Sequence, residues 1–89
     1  MRKSVKKRKH ELESIPGVGP SIAADLIEMG YTTVNSLKDQ DPQTMYDKHC
    51  QIKGCPIDRC VLYVFRCAVY FASNERHEPE KLKWWNWKD

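Results

Sequence analysis

The segment Pro16-Gly17-Val18-Gly19-Pro20 constrains the fold of this chain more than any other. Its two prolines fix φ and remove backbone donors, and its two glycines permit the left-handed conformations that close reversals need. No helix or strand can run through these residues, so the chain must turn tightly there. Val18, the one large apolar side chain of the turn, is expected to pack inward. Pro20 suits the first position of a following helix. Ile22, Ala23, Leu26 and Ile27 then recur at helical spacing, and Gly30 stands where a helix terminates.

The rest of the chain is punctuated in the same way. Ser4 can cap a first helix carrying Val5, Leu12 and Ile15, and Thr32 or Thr33 can cap a short third helix with Val34 and Leu37. Asp41-Pro42 opens a fourth helix ending at Gly54, and Cys55-Pro56 opens a fifth running to about Asn74. Strand signals are nearly absent. A chain of 89 residues has room for a single small core. The expected architecture is all-α, a compact bundle of about five short helices. Residues 1–10 form a basic arm expected to be flexible, 11–75 the helical domain, and 76–89 a Trp-rich tail packing on it.

The formal charge of +3 is unevenly placed. Arg2, Lys3, Lys6, Lys7, Arg8 and Lys9 give the arm six positive charges and no acid, whereas nine basic and twelve acidic residues leave 11–89 at −3. The arm can draw in a polyanion in a salt-dependent way. The folded body has no such general attraction, so any binding by it must come from a local device. A membrane span would need about 20 consecutive apolar residues, and none exists. The N-terminal charge has no apolar stretch behind it, so export is not expected. A cytoplasmic location with reduced thiols follows for Cys50, Cys55, Cys60 and Cys67.

The turn supplies such a device. Amides near Gly19, Ser21 and Ile22 lie at a helix N-terminus, where N–H groups and the helix dipole can hold a phosphate. Gly17, Val18, Gly19, Ser21 and Ile22 are the candidate phosphate contacts. Such contacts grip a nucleic-acid backbone and carry no base identity. Glu11, Glu13, Asp25 and Glu28 flank the turn and would repel a polyanion if they faced it. A purely architectural or protein-docking turn is the alternative.

Residues 12–38, with LESIPGVGPSIAADLI followed by GYTTVNSL, resemble the helix-hairpin-helix motif of DNA-repair and replication proteins, and the GVGPS form is similar to the hairpin of family X DNA polymerases. The resemblance implies a helix-hairpin-helix (SAM-like) unit that binds DNA. It also implies that a monovalent cation could be held by backbone carbonyls, here from residues around Ser14, Pro16 and Gly19, with no other cofactor. Over nearly the whole chain, IPGVGPSIAADL, CPIDRCVLYVFRCAVYFA and KLKWWNWKD look like the bacterial pathogenicity locus (Cdd1) family of small helix-hairpin-helix proteins.

On the fifth helix, Ile57, Val61, Val64, Phe65, Ala68 and Ala72 make one apolar face, and Arg59, Tyr63, Arg66, Tyr70 and Ser73 a stripe opposite. Arg59 and Arg66 between tyrosines are auxiliary candidates for nucleic acid, and packing of both tyrosines under the tail is the alternative. The cysteine spacing lacks the C-x2-C pair of strong zinc sites. Cys60 and Cys67 are about 10.5 Å apart along a helix axis, too far to share one metal. No metal is expected. Cys55, placed before a helix opening at Pro56, is the candidate reactive thiol, because a helix N-terminus favours thiolate. The tail interleaves lysines with Trp84, Trp85 and Trp87, a pattern suited either to stacking on unpaired bases or to clasping the core. There is no phosphate loop, zinc-protease motif or other catalytic constellation. The expected function is binding of DNA without sequence preference, accessory to repair or processing. A protein–protein adaptor is the alternative.

Overall fold

The computed structural model of the chain describes residues 10–88. The expectations for Ser4, Val5 and the basic residues of 2–9 fall outside them. Three α-helices, α1 (Pro20–Glu28), α2 (Pro42–Lys53) and α3 (Arg59–Ser73), alternate with four 3-10 turns at Glu11–Ser14, Asn35–Leu37, Pro79–Leu82 and Trp84–Trp87. The described residues contain no strand, so the all-α class holds with fewer full helices than five.

The shortfall has local causes. Before the glycine turn, His10 caps a single turn: its Nδ1 accepts from the Leu12 amide at 3.1 Å, and Glu13 reaches back to the His10 amide at 3.2 Å. Pro16 then keeps Ile15 extended, at φ −76° and ψ 126°, so the turn cannot lengthen into a helix on that side. The expected third helix is likewise one 3-10 turn. Thr33 Oγ1 accepts from the Ser36 amide at 3.1 Å, and the Lys38 amide closes the turn on Asn35.

The α-helices carry conventional ends. α1 terminates in a Schellman arrangement, with Gly30 at φ +99° and the Tyr31 amide reaching the Leu26 carbonyl at 2.9 Å. Asp41 caps α2 by accepting from the Gln43 amide and the Thr44 hydroxyl, both at 3.0 Å. The fifth expected helix, α3, begins at Arg59 and not at Pro56. Asp58 accepts from the Cys60 amide at 2.9 Å and takes the capping position, so Pro56 stays outside the helix. Those hydrogen bonds hold the Asp58 carboxyl below its ordinary pKa.

Leu12, Ile15 and Val18 from the N-terminal turn join Ala23 and Leu26 of α1, Leu37, Met45 of α2 and Phe65 of α3 in one buried cluster. The core arc of α3 is wider than the expected face. Leu62 and Cys67 are fully buried with Val64, Phe65 and Ala68, whereas Ile57, Val61 and Ala72 are only half-buried. At 100° per residue those buried positions span well over half the helix circumference. One short helix is therefore wrapped on several sides, by α2, by the segment around Leu37 and by the C-terminal tail.

Candidate nucleic-acid interface

The glycine turn uses its two glycines differently. Gly17 adopts φ +90°, a conformation that favours glycine, whereas Gly19 is extended at φ −98° and ψ −172°. Gly19 is the residue before α1 and Pro20 the first residue within it. No side chain caps this end, and a Cβ at Gly19 would meet nothing within 4 Å. The first intrahelical bond runs from the Ala23 amide to the Gly19 carbonyl at 2.9 Å. The Ser21 and Ile22 amides precede it and have no acceptor within the helix. Ser21 and Pro20 are exposed, and Ile22 is half-buried.

Two expectations at the turn need correction. Val18 is buried and its amide donates to the Ile15 carbonyl at 3.0 Å, so that N–H is engaged in closing the turn and is not a phosphate donor. The Pro16 carbonyl, expected in a cation-binding set, faces Cys67 Sγ at 3.8 Å and points into the protein.

The flanking acids turn out to be engaged elsewhere. Glu11 Oε2 accepts from the Val34 amide at 2.8 Å, pinning the turn to the segment before Leu37. Glu13 is bonded to His10. At the far end of α1, Asp25 lies 3.6 Å from both His49 Nε2 and Lys53 Nζ, and Glu28 lies 3.5 Å from the same Lys53. Glu28 first, and Asp25 second, raise the Lys53 ammonium above its ordinary pKa. His49 is buried against the edge of Phe65 at 6.0 Å, with Nδ1 lacking a partner, and it joins no metal-binding group among the described residues.

The tail closes over the other side of the turn. Trp84 lies against Gly17, its Cδ1 only 2.8 Å from where a Cβ would stand. Cys67 Sγ joins the turn to the tail, 3.8 Å from the Pro16 carbonyl and 3.6 Å from that of Lys81. The tail lies along the Arg-Tyr stripe of α3. Arg66 donates to the Trp87 carbonyl at 2.6 Å, and its guanidinium lies 5.7 Å from the Tyr63 ring centre. Tyr70 packs on Trp87 at 5.5 Å and accepts from the Glu78 amide at 2.8 Å. Arg66, Tyr70 and Trp87, with Pro42, Val69 and Ser73, border an open groove of about 510 Å3. Of the stripe's two arginines, Arg59 is exposed and Arg66 is half-buried beneath the tail.

The contact of Trp84 with Gly17 was not visible in the sequence. The composition of the tail suggests a clasp, yet nothing in it says which tryptophan meets which element. The only hint was the left-handed demand at Gly17, which ensures that a flat ring can approach without meeting a Cβ.

The thiols also redistribute. No disulfide joins the four cysteines. Cys55 is exposed but lies in the loop before Asp58, so it has no helix N-terminus to activate it. Cys60 occupies the first turn of α3, where the hydrogen-bonded Asp58 carboxylate, followed by burial, pushes its thiol above the ordinary pKa. Burial does the same to Cys67. Under limiting maleimide near neutral pH, Cys55 should label first and Cys60 more slowly, with Cys67 labelled only on unfolding. Peptide mapping over time checks the order, and equal rates would contradict it.

Among the described residues no helix is long and apolar enough to cross a membrane. No solved structure matches the chain significantly. It is 29% identical over 77 residues to the mitomycin resistance protein McrB of Streptomyces lavendulae, an alignment covering 86% of this chain and 70% of that protein. The family model described as pathogenicity locus, Cdd1, matches residues 5–89. An all-helical chain matched over nearly its whole length in this way belongs to the pathogenicity locus (Cdd1) family.

Proposed function

We propose that this protein binds DNA through its backbone, without reading sequence, using a helix-hairpin-helix-type turn at residues 17–22. The observation that carries the reading is the uncapped start of α1. Ser21 and Ile22 amides sit behind an extended Gly19 with open space around it, at the positive end of a helix dipole. Lys53 offsets part of the charge of Asp25 and Glu28, while Glu11 and Glu13 keep theirs and accept from the Val34 and His10 amides. Phosphate contacts of this kind position a protein on any sequence. The basic residues Arg2, Lys3, Lys6, Lys7, Arg8 and Lys9 add attraction at long range.

In this reading the chain is an accessory factor in DNA repair or processing, working in a reducing cytoplasm, with no catalytic step of its own. The name of the relative, a mitomycin resistance protein, states no molecular activity.

Binding of labelled oligonucleotides across a salt series tests the proposal. Affinity should fall steeply with ionic strength, and removal of residues 1–10 should flatten the log–log slope by up to about five. Ser21→Glu should weaken binding severalfold while keeping the fold, because a carboxylate in the first turn suits the helix dipole but competes with phosphate. No binding in low salt would overturn the proposal in favour of a protein–protein adaptor.

A further inference from the structure

We infer that residues 78–88 form a strap that lifts off α3 as a unit while the three-helix body stays folded, and that its lifting uncovers Cys67. The buried core closes without this segment: every member of the buried cluster lies between Leu12 and Ala68. No residue of 78–88 is buried, and only Leu82, Trp84 and Trp87 are half-buried. A segment with so little burial opens at a lower free energy than the whole domain unfolds.

The strap is stitched to itself. The Trp87 indole N–H donates to the Lys81 carbonyl at 2.7 Å, Asn86 Nδ2 to the Glu80 carbonyl at 2.9 Å, and the Asn86 amide to the Lys83 carbonyl at 2.9 Å. Lys81 pairs with Glu78 and Lys83 with Glu80, each at 3.2 Å. These bonds lie within 78–88 and survive its departure from the body, so the segment moves as one piece. The pivot is His77. Its ring stacks on Phe71, with centroids 4.5 Å apart and planes 7° from parallel, and its Nε2 lies 2.8 Å from the Phe71 carbonyl. His77 stays with the end of α3 when the strap lifts.

The bonds that cross from the strap to α3 can be exchanged for water. The Glu78 amide donates to the Tyr70 hydroxyl at 2.8 Å, and Arg66 donates to the Trp87 carbonyl at 2.6 Å. Trp87 on Tyr70 and Trp84 against Gly17 supply the ring contacts. Cys67 marks the seam. Its sulfur is fully buried between the Pro16 carbonyl of the turn, at 3.8 Å, and the Lys81 carbonyl of the strap, at 3.6 Å. Lifting removes the strap's side of that enclosure. It also takes Trp87 away from the groove bordered by Pro42, Val69 and Tyr70, which leaves that flank of α3 open to solvent.

All three tryptophans of the chain lie in the strap, so their emission reports on it, whereas far-ultraviolet circular dichroism reports on the α-helices. In a urea titration of the full chain, the emission should shift to the red at lower urea than the loss of helix, where a two-state domain gives coincident curves. The unfolding that admits maleimide to Cys67 should then be that of the strap. Its labelling, resolved by peptide mapping with opening faster than reaction, should depend little on urea, because lifting the strap exposes less surface than unfolding the body. Tyr70→Phe removes the acceptor of the Glu78 amide and should speed Cys67 labelling about fivefold, with the midpoint of helix loss unchanged. Cys55, exposed in the loop before α3, is the control and should react at the same rate in both proteins. Coincident emission and helix curves, Cys67 labelling with the urea dependence of helix loss, or an unchanged Cys67 rate in Tyr70→Phe would each overturn the strap.

Discussion

Phe65→Ala should remove about 3–5 kcal/mol of stability, enough to bring this small domain close to unfolding. Domains of this length are stabilised by roughly 5–10 kcal/mol in total. Phe65 is fully buried at the middle of α3, the helix that α2, the Leu37 segment and the tail all pack against. Truncation would open a cavity shared by several elements, and none of them can close it without losing contacts with the others. His49, whose ring centre lies 6.0 Å from that of Phe65, would also lose that neighbour. Thermal unfolding should show a fall in Tm on the order of 20 °C. Phe65→Leu, which keeps most of the volume, should lose markedly less. Ile52→Ala is the control: Ile52 is exposed on α2 and its truncation should change stability by no more than about 0.5 kcal/mol. A Phe65→Ala protein melting within a few degrees of wild type would show that α3 does not organise the core.

The legible and illegible parts of this protein divide along the range of the forces involved. Chain reversal at Pro16 to Pro20, the start of α1 at Pro20, the start of α2 at Pro42 and the ends at Gly30 and Gly54 depend on one or two residues each, so the sequence displays them directly. The start of α3 was misplaced by three residues because two signals competed. Pro56 suits a first turn, but the Asp58 carboxylate satisfies the Cys60 amide, and a hydrogen-bonded cap prevails over a proline that merely tolerates the position. That local displacement carried the Cys55 expectation with it. The width of the α3 core was hidden for a different reason. Leu62 and Cys67 sit at angles a single apolar stripe excludes, and only the arrival of the tail from more than ten residues downstream buries the second flank. At the turn itself, the open start of α1 was legible from Gly19 and Pro20. The engagement of its flanking acids was not, since Glu11 pairs with Val34 and Asp25 with His49 across sequence gaps that no spacing rule encodes.

The two glycines of the turn should respond to substitution with opposite signs. Gly17→Ala places a side chain at φ +90°, which costs about 1–2 kcal/mol, and sets its Cβ against Trp84, so the total loss should be about 2–3 kcal/mol. The atoms it meets first are Cδ1 and Cγ of the Trp84 indole, at 2.8 and 3.3 Å, so the ring must leave its present seat. Trp84 should then become more solvent-exposed, seen as a red shift in tryptophan emission. In a double-mutant cycle, Gly17→Ala and Trp84→Ala should be clearly less than additive, since removing the indole removes the clash. Gly19→Ser should instead stabilise the fold by about 0.5–1 kcal/mol. Gly19 is already extended, its surroundings are open, and a serine hydroxyl at that position can accept from the first-turn amides of α1 while reducing the freedom of the unfolded chain. Those are the amides proposed to hold phosphate, so the more stable variant should bind DNA more weakly. A Gly19→Ser protein that is stabilised yet keeps its full DNA affinity would move the phosphate site away from the start of α1. One in which stability rises as affinity falls would tie both to the same two N–H groups.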